Sequence, residues 1–169
     1  MPPLRRLILA LAAAGMPLAA FSQHDMHMHE MHTPSAAAPA KAAKPPADTR
    51  QAVKFPKALR SHTLANMRDH LLALQQIQES LARHEFDAAA DIAEQRLGMS
   101  SLALHGAHDV AQYMPKGMRE AGTAMHRNAS RFAVAAKDAG ATGDLRPVLD
   151  ALSQVTAQCV ACHAGYRVK

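Results

Sequence analysis

From Phe55 onward the apolar residues of this 169-residue chain recur at intervals of three and four, in runs broken at three places. Leu64, Met67, Leu71, Leu74, Gln78 and Leu81 form the first run, which predicts a helix with one stripe turned inward. Pro56 suits its first turn, where a missing N–H costs nothing. A turn at His84–Glu85 leads to a second helix from about Asp87 to Leu104, with Ala89, Ile92, Ala93 and Leu97 inward. The stretch Gly106–Met114 reads as a connection, after which Pro115 opens a third helix carrying Met118, Ala121, Met125 and Phe132 and ending at Gly140–Gly143. Asp144 is a good N-cap for a fourth, with Pro147 tolerated in the first turn and Leu145, Leu149, Leu152, Val155, Cys159, His163 and Tyr166 along its stripe. Four helices with short links predict an all-α fold, an antiparallel up-down-up-down four-helix bundle over residues 53–169, with no length left for a second domain.

What precedes the helices is of a different kind. Arg5 and Arg6 followed by the apolar run Leu7–Ala20 predict a signal peptide over residues 1–22, cleaved after Ser22. The run is too short to span a bilayer, so a soluble periplasmic protein is expected. Losing the leader takes the formal charge from +5 to +3, too little to argue for nucleic acid and compatible with a mildly basic docking surface for a redox protein. Residues 23–52 have no hydrophobic period and read as a tail, His/Met-rich and then Ala/Pro/Lys-rich. Within it His24, Met26, His27, Met28, His29, Met31 and His32 form a soft to borderline donor set suited to copper or nickel, although a biased tail binding metal only adventitiously has the same composition.

The last helix ends in Cys159-Val160-Ala161-Cys162-His163, and these are the only two cysteines of the chain. Two thiols three residues apart, followed at once by an imidazole, are the attachment signature of a c-type haem. The thiols add to the two vinyl groups, and the imidazole beside the second can coordinate the iron. On a helix Cys159, Cys162 and His163 stand at i, i+3 and i+4 and share one face. The same pair of cysteines could be a disulfide, a redox dithiol or half of a zinc site. The redox dithiol wants a βαβ context and the zinc site a second cluster, and neither is found.

The other histidines are read as solvated: His62, His70, His84, His105 and His108 fall on polar positions or in turns. None pairs with a nucleophile and a carboxylate in a recognisable pattern, so no catalytic residue is assigned and no enzyme is expected.

A haem motif at the extreme C-terminus of a fourth helix resembles the class II cytochromes c, the cytochrome c prime family and its low-spin relatives. The likeness covers roughly Val53 to Lys169. Cys159-Val160-Ala161-Cys162-His163-Ala164-Gly165-Tyr166-Arg167 is similar to the family's ending Cys-x-x-Cys-His-x-x-Tyr/Phe-Arg, and Phe86-Asp87-Ala88-Ala89 resembles its Tyr-Asp-x-Ala. The resemblance implies one covalent haem c on Cys159 and Cys162, His163 as proximal iron ligand and Arg167 near the haem edge. It also implies two alternatives for the sixth position. In low-spin electron carriers a Met of the first helix closes it; in five-coordinate members an apolar side chain, often Leu, faces it and nitric oxide or carbon monoxide can bind. Counting back from Phe86 favours Met67, whereas matching Arg60 to the family's early arginine favours Leu64. Met67 is the preferred reading, since a thioether raises the reduction potential of a carrier. Met118, Met125 and His126 are read as core or surface rather than as ligands.

The expected function is therefore a periplasmic monohaem cytochrome carrying single electrons between redox partners. Its rivals are a gas-binding protein with a vacant sixth position and a copper-handling protein working through the His/Met tail. A homodimer through the first two helices, seen in the family, is left open.

Overall fold

Pro56 and Pro115 lie in extended backbone (φ −53°, ψ 147° and φ −56°, ψ 154°) just ahead of the two longest helices, so neither ring interrupts an intrahelical hydrogen bond. A computed structural model describes residues 47–169. The helices are α1 Lys57–Ala82, α2 Phe86–Arg96, α3 Ala107–Ala111, α4 Lys116–Thr142 and α5 Arg146–Gly165. Two short strands, β1 Gln51–Val53 and β2 Tyr166–Val168, complete the order, with a 3-10 turn at Met99–Ser101. The leader and the His24–His32 run lie outside the described residues. The fold is mostly helical, as expected, and no helix among the described residues is long and apolar enough to cross a membrane.

The chain reverses where the sequence places breaks. His84 adopts a left-handed φ of 57° after α1, and the Glu85 N–H bonds back to the Ser80 carbonyl at 2.9 Å, which turns α2 onto α1. Gly143, at φ 72°, closes α4 by donating its N–H to the Ala139 carbonyl at 2.7 Å. Leu145, not Asp144 as expected, holds the N-cap position of α5; Asp144 stands one residue earlier and accepts the Arg146 N–H at 3.0 Å, with Pro147 in the first turn.

The second helix is shorter than its periodicity suggests, stopping at Arg96 instead of running to Leu104. Leu97 and Gly98 both bond back to the Ala93 carbonyl, and the backbone passes so close to α2 that a Cβ on Gly98 would stand 2.8 Å from the Glu94 Cα. Residues 99–106 then make the 3-10 turn and a further reversal that ends on Gly106 at φ 59°. A side chain there would be strained and 3.2 Å from His62 Nε2.

Packing runs α1 on α2, α2 on α4 and α4 on α5, whereas α1 and α5 barely touch. Two helix rotations differ from expectation. In α1 the buried residues are Ala73, Ile77, Ser80 and Leu81, and Leu71 points to solvent; in α5 Val148 is buried and Leu149 exposed. In both helices apolar residues occupy adjacent positions, so a period of 3.6 alone does not choose the inner one. The core falls into two pieces. The larger joins Ile77, Leu97, Phe132, Val148 and Val155 to alanines of α2 and α4, including Ala90, Ala93, Ala129 and Ala133, whose small side chains let the helices approach. Each large member contributes about 1.5–3 kcal/mol by burial. The smaller piece is Val53, Phe55, Val110 and Met118, with Cys162, Tyr166 and Val168 packed against it.

β1 and β2 pair in parallel, with Gln51 beside Tyr166 and Val53 beside Val168, and the Lys169 N–H adds a bond to the Val53 carbonyl at 2.9 Å. Nothing in the sequence marks this pair. It brings residues expected to belong to the tail into the folded unit, which takes in Asp48, Arg50 and Gln51 ahead of residue 53.

Candidate functional site

The Cys159–His163 segment forms the last turns of α5, and the chain leaves the helix directly into β2. Cys159 packs against the larger core piece and Cys162 against the smaller, so the two thiols straddle the break between them. Both are half-buried and free, not joined to one another. The Cys159 thiol donates to the Val155 carbonyl at 3.7 Å. Burial raises both thiols above the ordinary cysteine range, and the neighbouring Cys159 adds to the rise at Cys162. His163 is exposed.

Between α1 and α5 lies a cleft of about 190 Å³. Leu64 and Met67 of α1 line one side, Cys162, His163, Tyr166 and Arg167 the other, and Met118 of α4 its floor. The residues assigned from the motif and the two rival residues of the first helix thus meet in one place, except that Cys159 stands outside the lining. Leu64 and Met67 are one helical turn apart and share the face. Met118 shares the cleft, whereas Met125 belongs to the larger core.

Charge at the mouth comes from Arg167 together with Asp48 and Arg50, which the sequence did not single out. Arg50 donates to Asp48 through Nε and Nη2, each at 2.9 Å, and its Nη1 reaches the His163 carbonyl oxygen at 3.4 Å. These hydrogen bonds, together with the Coulomb field of Arg50 and Arg167, bring the Asp48 carboxyl down to about 2. Arg167 Nε lies 3.3 Å from Asp48 Oδ2 but is buried without a hydrogen bond. Two guanidiniums thus face one carboxylate, and one N–H is left for a further acceptor. On the opposite side the Tyr166 hydroxyl presses on the first turn of α4, where a Cβ at Gly117 would collide with it.

The donor set fits a c-type haem. Two free cysteines at the required spacing, an adjacent exposed imidazole, apolar walls from Leu64, Met67 and Met118, and an unpaired Arg167 N–H for a propionate are present together. The volume falls short of the roughly 300 Å³ at which small-molecule sites begin, so a macrocycle would part α1 from α5. Those two helices share almost no contact, which makes the separation cheap.

The histidines depart from expectation. His84 and His108 are exposed, as a solvated reading requires. His105, however, is only 6% exposed and His70 is half-buried beside it, against the solvated reading, whereas His126, 8% exposed, lies in the core, one of the two places read for it. His105 is drawn inside because α2 ends early and the following turn folds down between α1 and α4. A seven-residue spacing of α4 core residues at Met118, Met125 and Phe132, with His126 next to Met125, was the available signal for that helix alone.

No protein-family model matches the chain, and no curated protein or solved structure is significantly similar to it.

Proposed function

We propose that this chain is an exported monohaem c-type cytochrome of the class II kind, passing single electrons between periplasmic redox proteins. The observation that carries the reading is the placement of Cys159 and Cys162 astride a break in the core, with His163 facing the cleft that Met67 and Leu64 line. The finer fold that accompanies it is an up-down-up-down bundle of α1, α2, α4 and α5, supported by the sequential packing of those helices.

Bound there, the haem supplies a one-electron couple. The rest belongs to the chain: Cys159 and Cys162 would hold the group covalently, His163 would offer it an imidazole nitrogen, and Met67 would offer a thioether, which favours the ferrous state. Arg167 and Arg50 offer charge to its carboxylates, and the exposed position of His163 leaves an edge open to a partner.

A gas-binding alternative has its own support, because Leu64 lines the same cleft one turn from Met67. The absorption spectrum of the ferrous protein separates the two. Sharp low-spin bands indifferent to carbon monoxide are expected, and Met67→Leu should convert them to a broad, gas-sensitive spectrum. A broad wild-type spectrum that shifts with carbon monoxide would remove the carrier reading in favour of a vacant sixth position.

A further inference from the structure

We propose that His70, His105 and His126 form an internal binding site for a borderline transition-metal cation such as Zn²⁺ or Cu²⁺, separate from the motif cleft. The three residues come from three elements: α1, the turn after α2, and α4. Their rings gather with centroid separations of 4.7 Å for His70–His105, 5.4 Å for His105–His126 and 6.1 Å for His70–His126.

The hydrogen bonds leave the ring nitrogens in the state a metal needs. His126 Nδ1 is 2.7 Å from the Leu97 carbonyl oxygen, which can only accept, so that nitrogen carries the hydrogen and Nε2 is bare. Ser101 gives its hydroxyl hydrogen to the Gly98 carbonyl at 2.7 Å and so receives the Nδ1 hydrogen of His105 at 3.3 Å. His105 Nε2 then carries no hydrogen and accepts that of His70 Nε2 at 3.4 Å, a proton the metal displaces as it takes both nitrogens. Metal-bound imidazoles are held in this way, one nitrogen donating to a fixed oxygen and the other free to coordinate.

Distances agree with a tetrahedral site. Metal–nitrogen bonds of about 2.0–2.1 Å at tetrahedral angles set neighbouring donor nitrogens about 3.3–3.4 Å apart and ring centroids about 5 Å apart. His70 Nε2 and His105 Nε2 are 3.4 Å apart. Among the described residues no three donor atoms yet converge on one point, so His126 and His70 must close by about 1 Å as the metal binds. His70, at the half-exposed side, has the freedom to move.

The chemistry of the set selects the cation. The three rings are enclosed, with His105 and His126 buried. The nearby carboxylate, Asp69, is already taken by Arg96 through both oxygens. Three imidazoles without carboxylate or thiolate suit zinc, copper or nickel and offer nothing to magnesium or calcium. The site does not depend on the haem assignment.

The test uses the full chain with His24, His27, His29 and His32 changed to Ala, so that the clustered histidines of the tail do not compete. Zn²⁺ titration by calorimetry should give one site per chain and a raised thermal midpoint, neither produced by Mg²⁺. His105→Gln and His126→Gln should each weaken binding by about a hundredfold or more. Far-UV circular dichroism confirms that each variant is folded, and His70→Gln, at the half-exposed ligand, serves should a buried variant fail to fold. Absence of Zn²⁺ uptake, equal response to Mg²⁺, or undiminished affinity in any folded Gln variant would overturn the proposal.

Discussion

The molecule presents imidazole in two contrasting ways. At the motif cleft the important groups are neighbours in sequence, His163 is exposed, and the surrounding core is interrupted. In the histidine pocket the groups are far apart in sequence and enclosed, with His126 tied to the Leu97 carbonyl and His105 to the Ser101 hydroxyl. Covalent attachment needs only one turn of helix to present its reactive atoms, so a five-residue string is enough to encode it. Coordination by separate side chains needs a finished tertiary structure, and no short string can announce it.

Removing the attachment points sharpens this contrast most. Cys159→Ala with Cys162→Ala should abolish covalent haem, read as an intact mass equal to the bare processed chain, while Zn²⁺ uptake by the histidine pocket persists. Loss of both together would show one site where two are described.

Acid separates the regions next. His70 is held down to about 4 from 6.5, first by burial and then by His105 and His126, with Asp69 opposing and Arg96 adding slightly. The unfolded chain takes up a proton near pH 6.5 while the folded chain resists until about 4. Stability of the metal-free protein is therefore full above pH 6.5 and falls below it, by about 2–3 kcal/mol at pH 4 from this residue. His105 and His126 shift in the same direction. Denaturant midpoints at pH 7.5 and 4.5 measure the fall; a flat profile in that interval would contradict a pocket of buried neutral rings.

Gly106→Ala should cost about 1–2 kcal/mol, because an L residue is strained at φ 59°. The new methyl also crowds His62 next to the turn that carries His105, so Zn²⁺ affinity should weaken while the haem spectrum stays unchanged. Smallest is Arg50→Gln. Its ion pair with Asp48 is solvated, so the unfolding midpoint should hold, and only the Asp48 carboxyl, freed from Arg50, should climb toward its usual range by NMR titration.

Legibility follows the same division. α1, α4 and α5 could be read from spacing and from Pro56, Pro115 and Gly143, because each of these signals acts within a turn or two of itself. The inward faces of α1 and α5 were less legible, since Leu71–Leu72 and Val148–Leu149 offer apolar side chains on both sides of the stripe. The early stop of α2 depends on Gly98 approaching Glu94, a contact that exists only after the turn has formed. His70 and His105 owe their places to partners distant in the chain, and only His126, beside Met125 in the repeat of α4, left a local trace.

The parallel pairing of residues 51–53 with 166–168 also dictates an order of assembly. Its loop spans nearly the whole helical segment, so the entropy of closing it is recovered only once the intervening helices have already docked. The cysteines ride on α5, which docks with the other helices, so only the final strand waits for this closure. Until residues 166–168 zip alongside residues 51–53, the end of the domain beside Cys162 and His163 stays unsealed.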